Sequence, residues 1–260
     1  MVFVTVERLT TARGELVLRR HAGANGHHYE IVSNGVFLMD TRSGRSEREL
    51  VRAAVRAVPV PARVLIGGLG VGFSLAEALR TPGVRRVTVV EVEPAVVGWH
   101  RTHLAPYSAA GLDDPRVDVV TADLGDWLDA GVERYDAVCL DVDNGPEWTV
   151  TPRNGWLYRE PGLAALGRRL APGGVLAVWS AAAAPAFEAR LRDRYAAVER
   201  IEIPVTRGEP DVIYVAQAAP RLASVIAASA TPTGRCPAPA GRRARPRPRT
   251  AVERFPSSGS

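Results

Sequence analysis

The segment Val64-Leu65-Ile66-Gly67-Gly68-Leu69-Gly70-Val71-Gly72-Phe73-Ser74-Leu75-Ala76-Glu77 constrains this chain more than any other. An apolar run enters a turn rich in glycine and leaves as a helical pattern. Glycine lacks a Cβ and tolerates positive φ, so such a turn brings backbone close to a ligand or to another part of the chain. The same strand–helix alternation then repeats. Strand-like runs lie at Val87–Val90, Val117–Val120, Ala137–Leu140 and Val175–Trp179, with helical patterns near 73–80, 94–104 and 160–170. This predicts an α/β fold, a doubly wound and mostly parallel sheet covered on both faces. Val198–Val205 and Asp211–Val215, split by Arg207-Gly208-Glu209-Pro210, predict a closing antiparallel pair.

The first fifty residues follow a different rule. Val2–Val6, Glu15–Arg19 and Tyr29–Val32 read as short strands, and Ser33-Asn34-Gly35 before Val36–Met39 is a hairpin signal. A helix follows, with Leu50, Val51, Ala54, Val55 and Val58 on one face. Ser46 and Glu49 fit a capping box, and Pro59 and Pro61 end the helix. The expected division is a small β region with a linking helix at 1–58, a ligand-binding domain at 59–219 and a disordered Arg/Pro-rich tail at 220–260.

Charge sharpens that division. The net charge is +5, yet eight arginines and a single acid lie beyond residue 217, so the folded part is slightly acidic. No nucleic-acid partner is therefore expected for the main domain, and the tail is the candidate for one. No apolar run reaches the roughly 20 residues of a membrane span, and no secretory leader is read. Cys139 and Cys236 are far apart and give neither a disulfide framework nor a zinc spacing, so a cytoplasmic location without metal is expected.

The glycine turn can be tested against known spacings. A P-loop needs Gly-Lys-Ser/Thr, which is absent. A G-x-G-x-x-G fingerprint would put its third glycine on Phe73 or Leu75. What remains, Gly67 with Gly68, Gly70 and Gly72, resembles the G-x-G-x-G turn of S-adenosylmethionine-binding enzymes. Glu91 ends the second strand, where a carboxylate can accept from a ribose diol, and Glu93 follows it. Asp123 follows the third strand and is placed to accept from an adenine amino group, to cap a helix, or both, with Leu124 against the ring. Asp141 and Asp143 follow the fourth strand, where one or both could hold an amine or take its proton. Trp148, Trp156 and Tyr158 are candidates for a pocket lining or for plain core.

Taken in order, these pieces resemble the spermidine synthase (polyamine aminopropyltransferase) family over roughly residues 29–216. The resemblance is carried by Val64–Gly72, Val89-Val90-Glu91-Val92-Glu93, Asp114-Pro115-Arg116-Val117, Tyr135-Asp136-Ala137-Val138 with Asp141, Gly145-Pro146, Leu157-Tyr158 and Leu170-Ala171-Pro172-Gly173-Gly174. Tyr29–Asp40 and Ser46-Glu47-Arg48-Glu49 are similar to that family's small β domain and its junction. The resemblance implies a donor, decarboxylated S-adenosylmethionine or S-adenosylmethionine, an amine acceptor, and a homodimer through the β domain. It implies ribose binding by Glu91, adenine binding by Asp123 and action of Asp141 near the nucleophile.

Three departures stand out. The glycine loop carries Leu69 and Val71 where the family has an acid gripping the donor amine. The D-S-S-D-P motif becomes Asp141-Val142-Asp143-Asn144-Gly145. The family's glutamine before the junction is not evident. Aminopropyl transfer is the leading expectation, with methyl transfer and non-catalytic nucleoside binding as alternatives.

Overall fold

The computed structural model describes residues 3–23, 26–206 and 208–220. The tail expected at 220–260 and Cys236 lie outside them, apart from Pro220.

Four antiparallel strands open the chain: β1 (Val4–Thr11), β2 (Gly14–Gly23), β3 (Gly26–Ser33) and β4 (Val36–Asp40), in that order across the sheet. The β3–β4 turn is the Asn34-Gly35 pair, both at positive φ (51° and 78°), as a tight hairpin requires. Helix α1 (Arg45–Arg56) then leads to the larger sheet. Its elements are β5 (Ala62–Gly67), α2 (Phe73–Arg80), β6 (Val84–Glu91), α3 (Pro94–Trp99), β7 (Val117–Thr121), α4 (Leu124–Ala130), β8 (Tyr135–Leu140), α5 (Glu160–Arg168), β9 (Leu170–Ser180), α6 (Pro185–Arg194), β10 (Ala197–Ile203) and β11 (Asp211–Gln217).

The larger sheet runs β10-β11-β9-β8-β5-β6-β7. The five strands β5 to β9 are parallel to one another, and β11 pairs antiparallel with both β9 and β10. Strand alternation sends successive side chains to opposite faces. Val64 and Ile66, with Ala137 and Cys139, enter the core under α1 and α2, while Leu65, Val138 and Leu140 enter the core under α4, α5 and α6. Leu16, Leu18 and Ile31 of the smaller sheet join the first core. No described helix is long and apolar enough to cross a membrane.

One expectation is corrected. Ser46 does not cap α1. Gly44 occupies the cap position at φ 65°, with no side-chain bond, and Ser46 sits inside the first turn. Its hydroxyl instead reaches Asp211 Oδ2 at 2.6 Å and Glu47 Oε2 at 3.2 Å. A local helix-start signal was outcompeted by a contact 165 residues away.

Candidate functional site

Parallel α/β sheets present their ligand crevice beyond the carboxyl ends of the strands, where the strand order reverses. Here β5 is flanked by β8 and β6, and a cavity of about 490 Å³ opens above them. Its floor comes from the segments after β5, β6, β7 and β8. The smaller sheet and its first hairpin supply the opposite wall through Arg13, Leu16, Ile31 and Met39.

The glycine turn is shaped by close approach more than by free N–H groups. A Cβ on Gly68 would lie 2.3 Å from the Asp141 carbonyl oxygen, and one on Gly70 would lie 2.1 Å from Met39 Sδ. Both residues sit at positive φ (88° and 50°) and line the cavity. Gly67 and Gly72 are not on its wall. Gly67 is tight against Leu124 and Leu140, and Gly72 against His100 and Ser108. The Leu69 N–H is donated to Glu91 and the Val71 N–H to Met39 Sδ.

Glu91 is buried at the end of β6. Its Oε2 accepts from the Leu69 N–H and its Oε1 from the Glu93 N–H, both at 2.8 Å. Burial raises its pKa, and those backbone bonds oppose the rise. Each carboxylate oxygen keeps a lone pair, so a sugar hydroxyl can still be accepted on the cavity side. Glu93 lies beside it on the wall and accepts from Thr11 Oγ1 at 3.2 Å, which ties the β1–β2 hairpin to the larger sheet.

Asp123 caps α4. Its Oδ1 accepts from the Gly125 N–H at 2.9 Å and the Asp126 N–H at 3.3 Å. Oδ2 lies 3.7 Å from Arg153 Nε. Leu124 lines the cavity next to it, and Gly125 leaves room for the Trp156 ring.

The far end is different. Asp141 is partly buried, as are Glu47 and Asp211, and accepts from Ser74 Oγ at 2.8 Å. Glu47, one residue along from Ser46 in α1, lines the same cavity. Asp211 opens β11 and takes the Ser46 hydroxyl. Burial raises the pKa of all three carboxyls. Asp141 and then Asp211 raise Glu47 further, and Asp211 raises Asp141. No cation contributes at any of the three among the described residues. The nearby Arg48 is turned away, donating to the Ser43 and Gly44 carbonyls and stacking on Phe73 at 4.3 Å.

Asp143 is placed otherwise. At φ 56° it turns its Oδ1 to the Thr151 N–H (3.2 Å) and its Oδ2 to Asn154 Nδ2 (2.7 Å). It therefore fastens the 149–158 segment over the cavity, although it also lines the wall. Tyr158 is buried in the core, its hydroxyl donating to the Val142 carbonyl at 2.8 Å. Trp148 is 57% exposed and off the wall.

Sequence reading did not single out Met39, Glu47, Trp179 or Asp211. Glu47 was legible only within the Ser46–Glu49 junction stretch, and Asp211 only as a strand end. Nothing local marks either as facing Asp141.

Residues 45–190, more than half of the chain, match the family model described as the spermine/spermidine synthase domain. The chain belongs to that family. A polyamine aminopropyltransferase of Mycobacterium tuberculosis (strain ATCC 25618 / H37Rv) is 40% identical over 118 residues, 44% of this chain and 22% of that protein. Putrescine N-methyltransferase 2 of Nicotiana attenuata is 35% identical over 128 residues, 49% of this chain and 33% of that protein. The chain thus spans about a third or less of these relatives. Among solved structures, a spermidine synthase in complex with the transition-state analogue AdoDATO superposes with a TM-score of 0.69 at 18% identity, over 82% of this chain and 73% of that one. The spermidine synthase of Thermotoga maritima gives a TM-score of 0.67 at 17% identity, over 82% and 72%. The fold expected from the strand–helix alternation is the fold these proteins share.

Proposed function

We propose that this chain is a transferase of the spermidine synthase type. It would move an aminopropyl group from decarboxylated S-adenosylmethionine to a polyamine or another amine. The observation that carries the reading is the cavity's polarity: carboxylates with hydrogen-bonding capacity at one end, and at the other Glu47 and Asp141 on the wall, with Asp211 next to them off the wall and no cation paired with any of the three among the described residues.

In this reading Glu91 accepts from the ribose, Asp123 and Leu124 receive the adenine, and Gly68 and Gly70 allow the nucleoside to approach the turn. Gly67 and Gly72 would act behind it, by packing. The sulfonium donor and a protonated amine both carry positive charge, which buried carboxylates favour strongly. A donor that kept its carboxylate would set that group among Glu47, Asp141 and Asp211, so the decarboxylated donor fits better.

The chemistry then needs little from the protein besides alignment and exclusion of water. The amine lone pair attacks the carbon bonded to sulfur, and the C–S pair leaves on sulfur as a neutral thioether. The proton shed by the new ammonium goes to Asp141, whose raised pKa suits a general base. Asp143 would support the covering segment rather than meet the amine.

Methyl transfer is the second reading, favoured by one observation: no acid stands in the glycine turn at Leu69 or Val71. Incubation with putrescine and each donor, followed by product mass, separates them. Aminopropylated product from the decarboxylated donor is expected. Methylated product from S-adenosylmethionine alone would replace the leading reading with the second. Self-association through the smaller sheet and a cytoplasmic setting complete the proposal. Phe3, Val4 and Phe37 are exposed in that sheet region.

A further inference from the structure

His100, just after α3, is buried to within 2% of full exclusion and lies behind the glycine turn, off the cavity wall. Its Nε2 is 2.9 Å from the Gly70 carbonyl oxygen. A carbonyl only accepts, so Nε2 must carry the proton and the ring must donate. The same peptide unit is held from its other side, because the Val71 N–H is donated to Met39 Sδ at 3.1 Å. One plane, Gly70–Val71, is thus gripped at both its oxygen and its nitrogen, by side chains from α3 and β4. Gly70 has φ 50° and no Cβ, so without those two bonds its peptide could turn over.

The imidazole does this in an unusual setting. Its Nδ1 is buried without a partner. Burial also lowers its pKa, consistent with a neutral ring that serves as a one-way donor. The packing is tight, since a Cβ on Gly72 would lie 2.6 Å from His100 Cε1. A ring placed so closely, with one nitrogen committed and one left unpaired, is poorly explained as plain core filling.

We propose that His100 is a positioning residue for the donor, fixing the Gly70–Val71 peptide so that its carbonyl points away from the cavity and the nucleoside space stays open. The inference rests on the nucleoside reading of the cavity above. It assigns His100 no contact with either substrate.

The test compares His100→Phe, which keeps a ring and loses the donor, with His100→Gln, whose amide can donate from a similar reach. The probe is methylthioadenosine, titrated calorimetrically, together with KM for donor and for amine. His100→Phe is expected to weaken methylthioadenosine binding and raise the donor KM by about tenfold, as loss of one buried hydrogen bond would. The amine KM should hold, and His100→Gln should recover binding to within about threefold of wild type. Wild-type-like binding by His100→Phe would overturn the proposal, as would a His100→Gln as weak as His100→Phe. Nitrogen-15 histidine spectra of the wild-type protein give a readout that needs no variant to fold: the Nε2–H tautomer is expected, and the Nδ1–H tautomer would overturn it. A wild-type protein that binds no nucleoside would defeat the reading of the cavity, while the tautomer would still report on the hydrogen bond.

Discussion

The two ends of the cavity use the same residue types under opposite conditions. At one end, Glu91 and Asp123 are each met by backbone N–H groups at 2.8–3.3 Å, so their charge is dispersed before any ligand arrives. At the other, Glu47, Asp141 and Asp211 are met by two serine hydroxyls and by each other. In the proposed reading, the first end suits hydrogen bonds to a neutral nucleoside. At the second, neighbouring like charges in a partly buried setting disfavour ionisation, and in the proposed reading a cation relieves this. A single pocket can thus read the shape of one group and the charge of another.

The largest separation of the two ends should come from Asp141→Asn. We expect turnover to fall by about 10²–10⁴-fold, the range for losing a general base. Methylthioadenosine affinity should stay nearly unchanged, as calorimetry would show. Equal loss of turnover and of nucleoside binding would merge the ends that the comparison separates.

Glu91→Gln should do the reverse. The Leu69 and Glu93 N–H groups meet two different oxygens of Glu91, and a glutamine puts an NH2 group in place of one of them, so one donor loses its acceptor. Nucleoside affinity should fall by about 1.5–3 kcal/mol, with diamine affinity preserved in direct binding measurements.

Glu47→Gln tests the charge end without touching the proposed base. Binding of a dicationic amine should weaken by about tenfold, while methylthioadenosine should bind as before. Uniform weakening of both ligands would indicate a packing role for Glu47.

The smallest effect is on stability. Asp141 and Glu47 are pushed up to about 6 and about 7. These folded values lie above the unfolded ones, so the folded protein holds the extra protons. Their contribution is fully present below the ordinary carboxyl values of 3.8 and 4.5 and is lost progressively as pH rises to about 6 for Asp141 and about 7 for Glu47. The melting temperature of the empty protein should therefore drop across that window, and a saturating diamine should remove the drop. A flat profile would mean that the acids are already neutralised.

Legibility followed the same division. The larger sheet could be read because its strands are buried on both faces and appear as apolar runs, such as Val64-Leu65-Ile66 and Ala137–Leu140. The positions of Glu91 and Asp123 on the cavity wall were legible because strand ends and the glycine turn are local signals that topology alone specifies. The charge end was largely hidden. Asp141 could be read from its strand end, but Glu47 and Asp211 join it across 94 and 70 residues of chain, and only folding brings them together. Asp143 looked equivalent to Asp141 because both follow β8. One turn of backbone at φ 56° sends it to Thr151 and Asn154 instead. Helix α4 was legible only as the helix that Asp123 could cap, and α6 escaped, since it follows an alanine run with little periodicity.

The proposed function is tested most directly by one calorimetric comparison at neutral pH: methylthioadenosine, decarboxylated S-adenosylmethionine and S-adenosylmethionine titrated into the wild-type protein. All three share the nucleoside, and they differ in the charge delivered to Glu47, Asp141 and Asp211. The decarboxylated donor should bind tightest, and the carboxylate-bearing donor at least about tenfold more weakly. S-adenosylmethionine binding as tightly as its decarboxylated form, or no binding by any of the three, would contradict it.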